Sequence, residues 1–197
     1  AVLSDEIYGQ MVYDDAEHRS LLAFEELRDR LILLDGWSKT YAMTGWRLGY
    51  GIWPDSLIDI ARKLAVNSWS CVNAAAQYAA IAALQGPQDC VAEMMTAFDK
   101  RKKLVVSGLN ALPGISCAIP KGAFYAFPNV TAINMPAKQL AGHILEDAGV
   151  ATIGGPDFGM LGEGYIRVSY ANSEENIEMA LGRMRGLLER MGPTAKT

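Results

Sequence analysis

The sequence predicts an α/β fold, and three observations lead to this assignment. A short apolar run from Leu31 to Leu34 is closed by an Asp-Gly pair, which is typical of a buried strand that stops at a turn. Before it, Ala1 to Leu3 predicts a strand and Leu21 to Leu27 a short helix, so the three segments form a βαβ unit with parallel strands. Farther along, apolar residues from Val91 to Leu112 recur at spacings of three, four and seven, which indicates one long helix.

The composition is that of a globular protein. Half of the 197 residues are hydrophobic and a fifth are charged, and the length allows one large domain or two small ones. The net charge of −4 and the absence of a basic block argue against a nucleic-acid partner, and no apolar run reaches the ~18 residues of a membrane span. Three scattered cysteines and two isolated histidines make no metal or disulfide pattern, so we expect reduced thiols in a cytoplasmic protein.

The stretch from Gly36 to Tyr50, GWSKTYAMTGWRLGY, holds the strongest functional signal. Lys39 and Arg47 follow the predicted strand Leu31–Leu34, and ligands bind at the ends of strands in open α/β sheets. A primary amine can form a Schiff base, and a guanidinium is a planar, permanently charged fork that suits a phosphate. A lone lysine is usually a solvated surface residue, but the paired glycines and tryptophans around Lys39 favour a binding site.

This stretch resembles the lysine segment of the class I aminotransferases, which are fold type I enzymes that use pyridoxal 5'-phosphate. Their pattern Ser-Lys-x-x-x-x-x-Gly-x-Arg matches Ser38 to Arg47. In that family the lysine forms a Schiff base with the cofactor and the arginine holds its phosphate, roles that the resemblance gives to Lys39 and Arg47. It also places Ser38 among the cofactor-binding residues. The family often has another serine where Gly36 stands, so a hydroxyl contact to the phosphate is missing here or replaced by a backbone N–H.

Two more motifs follow the order of the family. Asp5-Glu6-Ile7-Tyr8 resembles its second motif, in which the aspartate pairs with the protonated pyridine nitrogen and the tyrosine bonds the ring oxygen. The segment from Tyr165 to Ala171 resembles its third motif, whose arginine, Arg167 here, forms a forked ion pair with the substrate α-carboxylate. By themselves, Asp-x-x-Tyr usually marks a loop and a strand arginine usually lies in solvent. The three motifs together favour the ligand roles of Asp5, Tyr8 and Arg167.

The resemblance implies the C-terminal part of a pyridoxal-phosphate transferase fold. We expect a partial, mixed but mostly parallel sheet of the large cofactor-binding domain in residues 1–86, a long linking helix in residues 87–111 and a small α+β domain in residues 112–197. Asn73 and Ser173 are predicted helix caps, and the charges from Asp99 to Lys103 a solvated helix face. The glycine-rich loop from Gly154 to Gly164 precedes a strand rather than a helix, so it fails the context of a nucleotide-binding loop.

The reaction implied is transfer of an amino group from an amino acid to a 2-oxo acid, by a homodimer that binds neither nucleic acid nor membrane. Lys39 would serve as general base and acid. Two alternatives remain open. The same fold serves other pyridoxal-phosphate reactions, such as a lyase β-elimination or a decarboxylation, and it also forms non-catalytic sensing domains of regulators. The residues preceding Ala1 would discriminate, because a helix-turn-helix there favours the regulator.

The beginning of the sequence predicts an incomplete protein. It has no initiator methionine and starts inside a predicted strand, whereas family members are roughly twice as long. We expect the absent part to supply the aromatic residue stacked on the cofactor ring, an asparagine at the ring oxygen, further phosphate contacts and a tyrosine for the partner subunit. By itself the chain is therefore predicted to bind the cofactor weakly or not at all and to show no measurable amino transfer.

Overall fold

The computed structural model of the protein describes residues 1–192 and divides them into two units. The division lies between Met95 and Thr96, inside the long helix α3 (Asp89–Asn110). The long helix predicted from the spacing of apolar residues is therefore confirmed. None of the helices within residues 1–192 is long and apolar enough to span a bilayer.

The first unit is built on a sheet in the order β1-β2-β3, formed by β1 (Val2–Asp5), β2 (Leu31–Gly36) and β3 (Gly49–Ile52). β1 and β2 are parallel, as predicted, whereas β3 runs antiparallel to β2. The short helix predicted from Leu21 to Leu27 is not one continuous helix, because two 3-10 helices, Leu21–Ala23 and Glu25–Arg30, occupy this crossover. Phe24 separates them with an extended backbone, φ −100° and ψ 101°, which no continuous helix allows.

Two helices, α1 (Asp55–Trp69) and α2 (Ala74–Gln85), follow the sheet in the chain of the first unit. Asn73 caps α2 as predicted, since its side chain accepts a hydrogen bond from the Ala76 N–H at 3.1 Å. A buried apolar cluster joins the segment between β2 and β3 to α2; its members are Trp37, Leu48, Ala76 and Ala80. This cluster fixes where the chain between β2 and β3 can lie.

The second unit combines an antiparallel sheet with helices, which agrees with the α+β prediction for this part. Its three strands are β4 (Tyr125–Ala126), β5 (Ile153–Gly154) and β6 (Ile166–Ser169), and they have the order β4-β6-β5, so β6 lies between the other two. Ser173 caps the last helix as predicted, because its hydroxyl accepts from the Asn176 N–H at 3.2 Å. The elements of this unit after α3 are β4 (Tyr125–Ala126), α4 (Ala137–Ala148), β5 (Ile153–Gly154), β6 (Ile166–Ser169) and α5 (Glu174–Met191).

The prediction of a fully solvated charge run on α3 is wrong at Lys102, whose side chain is 2% exposed. Its ammonium lies 2.9 Å from a carboxylate oxygen of Asp99, which also pairs with Lys103. Hydrogen bonds from Lys103 and Lys102 lower the pKa of Asp99. A run of like charges on a helix cannot show by itself which member turns inward, because that depends on what packs against it.

We predict that Asp99→Asn lowers the free energy of unfolding at pH 7 by about 1–3 kcal/mol, because it removes a counter-charge from a buried ammonium. A depressed carboxyl pKa stabilises the fold above the unfolded value, near 3.9, and this stabilisation is lost as the pH falls through the folded value. Urea denaturation at pH 7 and at pH 3 should therefore show the difference between variant and wild type shrinking in acid. Glu93→Gln, an exposed change on the same helix, is the control, and an equal effect from it would contradict the prediction.

Candidate active site

Three strand ends meet at one edge of the first sheet. Asp5 ends β1 opposite Leu34, and Gly36 ends β2 opposite Gly49, the first residue of β3. Because β1 and β2 are parallel and β3 is antiparallel to them, two carboxyl ends and one amino end lie at the same edge. Lys39 follows β2 and Arg47 precedes β3, so the topology brings both to the edge where Asp5 lies.

Lys39 lies in a tight turn that starts at Trp37. The backbone N–H groups of Tyr41 and Met43 both donate to the Trp37 carbonyl, at 3.2 and 3.3 Å. The side chain of Lys39 is half-buried, and its Nζ lies 6.0 Å from the centroid of the Tyr8 ring. The second motif and the lysine segment are therefore neighbours at this edge.

Trp37 anchors this turn to the body of the unit. Its side chain is buried, and its Nε1–H donates to the Ala80 carbonyl of α2 at 3.2 Å. Its ring meets the Tyr50 ring edge-on, with centroids 5.4 Å apart. Trp37 thus contacts both α2 and β3, and because it is only two residues before Lys39, these contacts limit the movement of Lys39.

Gly36 is required by the close approach of β2 and β3. A Cβ at this position would lie 2.9 Å from the Gly49 Cα and 2.9 Å from the Leu48 carbonyl oxygen, closer than real contacts allow. A serine, as the related pattern often has here, would not fit without a backbone shift. The Gly36 N–H donates to the Asp35 carboxylate at 2.6 Å, so it is already bonded within the protein.

The other oxygen of the Asp35 carboxylate binds β3. It accepts a hydrogen bond from the Tyr50 hydroxyl at 3.1 Å. Burial, followed by the negative charge of Asp35, raises the pKa of Tyr50, so this phenol stays a neutral donor at physiological pH. Asp35 therefore stabilises the junction of β2 and β3, which supports both Lys39 and Arg47.

Arg47 adopts a left-handed backbone conformation, with φ 52° and ψ 50°, at the end of the 3-10 helix Thr44–Trp46. This conformation costs a non-glycine residue about 1–2 kcal/mol. The side chain is exposed, and its Nη1 donates to the Thr44 carbonyl at 2.8 Å. It lines a cavity of about 900 Å³ together with Trp46, Trp69 and Asn73. A strained arginine at a cavity is the type of feature that binding sites retain.

Glu6, between Asp5 and Tyr8, fixes their segment to the crossover. Its buried carboxylate accepts from the Leu21 N–H at 2.9 Å and lies 2.9 Å from the His18 Nε2. Burial by itself would raise the pKa of Glu6, but the hydrogen bonds, led by that from His18, outweigh it and lower this pKa. Asp5 itself is exposed and accepts from the Ile7 N–H at 3.2 Å.

Arg167 belongs to the second unit and lies on β6, the central strand, rather than on an edge strand. Its guanidinium carbon is 4.4 Å from the centroid of the Tyr125 ring and 4.3 Å from that of Phe158. Within residues 1–192 its guanidinium has no hydrogen bond or ion pair to a carboxylate. Its N–H donors are thus available to a ligand.

Comparison with known proteins shows which family the chain belongs to. The family model for aminotransferases of class I and II matches residues 1–184. The chain belongs to this family. It is 44% identical over 197 residues to an aspartate aminotransferase of Streptomyces avermitilis and 40% identical over 189 residues to one of Pyrococcus abyssi. Each alignment covers 95% of this chain and 48% of the relative, so the chain spans about half the length of these curated relatives.

Solved structures of the family share the fold. An aromatic aminotransferase from Pyrococcus horikoshii OT3 superposes with a TM-score of 0.91 at 39% identity, covering 95% of this chain and 51% of that one. The aspartate aminotransferase from Rhizobium meliloti gives 0.88 at 36% identity, covering 95% and 49%. The predicted pyridoxal-phosphate transferase fold is therefore confirmed.

The structure brings five of the six predicted site residues to one edge of the first unit: Asp5, Tyr8, Ser38, Lys39 and Arg47. The sixth, Arg167, lies in the second unit. The sequence motifs indicate neither the support that Glu6 gives to the Asp5 segment nor the two rings at Arg167. These contacts join residues 9 to 42 positions apart, and no spacing in the sequence indicates them.

Proposed function

We propose that this chain is the part of a pyridoxal-phosphate-dependent aminotransferase that bears its reactive lysine, and that the enzyme moves an amino group from an amino acid to a 2-oxo acid. The observation behind the proposal is the grouping of an amine, a carboxylate, a phenol and a guanidinium at one sheet edge. Membership of the aminotransferase family supports it. We further propose that the enzyme is a cytoplasmic homodimer, and the three free thiols of the chain are compatible with that compartment.

The residues at this edge fit pyridoxal 5'-phosphate. Lys39 offers the amine for its aldehyde carbon, Asp5 a carboxylate for its ring nitrogen, Tyr8 a hydroxyl for its ring oxygen and Arg47 a guanidinium for its phosphate. The cavity of about 900 Å³ that Arg47 lines is of the size that cofactor pockets have. When bound, the cofactor supplies an electron sink that stabilises negative charge at the substrate α-carbon.

The chain's own residues would divide the remaining work. Lys39 would remove the proton from the substrate α-carbon and, as the general acid, deliver it to the carbon of the cofactor aldehyde. Asp5 keeps a proton on the ring nitrogen by charge pairing. Arg47 orients the phosphate, with Ser38 as a hydroxyl donor beside it, and Arg167 binds the substrate carboxylate through its paired N–H donors.

We predict that Arg47→Gln weakens retention of the cofactor at least about tenfold in the complete polypeptide that the gene encodes, since a hydrogen bond to a charged group contributes about 1.5–3 kcal/mol. The dissociation constant can be measured by absorbance titration of the apoprotein with pyridoxal 5'-phosphate. Arg62→Gln is the matched control, because Arg62 is an exposed arginine of the same unit, paired with Asp59 on α1. Equal and small effects from both variants would count against the phosphate role of Arg47.

A further inference from the structure

Two aromatic rings lie close to the guanidinium of Arg167. Tyr125 is on β4, next to β6, and Phe158 ends the 3-10 helix Gly155–Phe158. The centroids of the Tyr125 and Phe158 rings lie 4.4 and 4.3 Å from the guanidinium carbon, which is within the range of a cation–π contact. Two separate elements thus supply one aromatic ring each to the same cation.

We propose that Tyr125 and Phe158 are positioning residues for Arg167, which keep its guanidinium plane fixed and leave its N–H edge to a ligand carboxylate. The inference rests on the proposed role of Arg167 in binding that carboxylate. An unrestrained arginine has many rotamers, and ordering it on binding reduces affinity. Rings packed beside the guanidinium restrict those rotamers in advance and exclude water on their side, whereas the five N–H donors of a guanidinium point outward in its plane.

The N–H donors of Arg167 that the rings leave accessible determine which kind of anion can bind. The guanidinium carbon lies close to two aromatic rings, and the guanidinium has no acidic partner within residues 1–192. A planar anion with two oxygens, a carboxylate, can accept two parallel hydrogen bonds along that edge. The rings therefore favour binding in the guanidinium plane.

Phe127 offers a matched control within the same group of rings. It stacks on Tyr165 with centroids 5.2 Å apart and meets Phe158 edge-on at 6.2 Å, but within residues 1–192 it makes no cation–π contact with Arg167. Phe127 is 41% exposed and Phe158 is 49% exposed, so replacing either with leucine removes a similar, partly exposed ring. A difference between the two variants would come from the cation–π contact with Arg167 rather than from loss of aromatic packing.

The test uses the complete polypeptide that the gene encodes and propionate, a carboxylate that cannot react, with its dissociation constant measured by calorimetry. Phe158→Leu is expected to weaken propionate binding about three- to tenfold, the range of a partly exposed cation–π contact. Phe158→Tyr should restore wild-type binding because it restores the ring, and Phe127→Leu should stay within about twofold of wild type. With an amino acid substrate, Phe158→Leu should raise KM by a similar factor and leave kcat nearly unchanged.

Arg167→Gln separates this inference from the proposed function. If Arg167→Gln abolishes propionate binding while Phe158→Leu binds as the wild type does, the positioning role is wrong and the carboxylate role stands. If Arg167→Gln leaves propionate binding unchanged, both are wrong. A uniform loss in the Phe158 and Phe127 leucine variants would also overturn the inference, because it would show a general packing effect.

Discussion

Lys39→Ala is expected to lower amino transfer by the complete polypeptide roughly a thousandfold or more, since general acid–base catalysis alone contributes about 10²–10⁴-fold. Lys39 lies in the turn after β2, next to Tyr8, where an amine can reach the α-carbon of a ligand bound at the sheet edge. Alanine has no group that could take over the proton. Steady-state kinetics with a panel of amino acids and 2-oxo acids would measure the loss.

Two further variants show whether the loss of amino transfer in Lys39→Ala comes from the missing base. Lys39→Arg keeps the positive charge but cannot be deprotonated at neutral pH, so it should be as inactive as Lys39→Ala. Lys63→Ala removes an exposed lysine from α1 in the same unit and should keep turnover within about twofold of wild type. Activity in Lys39→Arg close to wild type would show that the charge matters rather than the base.

Asp5→Asn is expected to leave cofactor binding largely intact and to reduce turnover roughly tenfold to a thousandfold. A nearby carboxylate shifts the pKa of a cationic partner by about 1–3 units, and an amide cannot do so. Asparagine has almost the same size and can still accept the hydrogen bond from the Ile7 N–H, so the end of β1 should stay in place. The kcat at saturating cofactor and the cofactor dissociation constant should be measured separately for each variant, and only kcat should fall.

Asp15→Asn, an exposed change in the crossover, is the control for Asp5→Asn. Asp5→Glu keeps the charge on a longer side chain and should retain more turnover than Asp5→Asn. Normal turnover in Asp5→Asn, with the cofactor bound, would refute the role of Asp5.

The strands and helices that position the site could be predicted because local chemistry determines them. Leu31 to Leu34 is a short apolar run that ends at Asp35, and β2 lies there. Asn73 precedes an alanine-rich segment and caps α2, because its short side chain can accept from an N–H of the first turn. The parallel pairing of β1 with β2 then followed from connection rules, and it places Asp5 near the end of β2.

Other features depend on contacts that no local pattern encodes. The two 3-10 helices of the crossover are tied to Glu6 through the Leu21 N–H, a bond between residues 15 positions apart. Lys102 is buried while Lys100 and Lys103, on the same helix, are largely exposed. Phe158 reaches Arg167 only because the turns after β5 return the chain to β6. In each case tertiary packing selects one of several residues that look equivalent in the sequence.

The most direct test of the central claim is borohydride reduction of the complete polypeptide loaded with pyridoxal 5'-phosphate, followed by peptide mapping. Reduction makes the bond between the cofactor and its lysine permanent, so the labelled peptide identifies that lysine without any assay of turnover. The geometry of the sheet edge predicts one label per chain, on Lys39. A label on any other lysine, or a loaded protein that gives no label, would contradict this account.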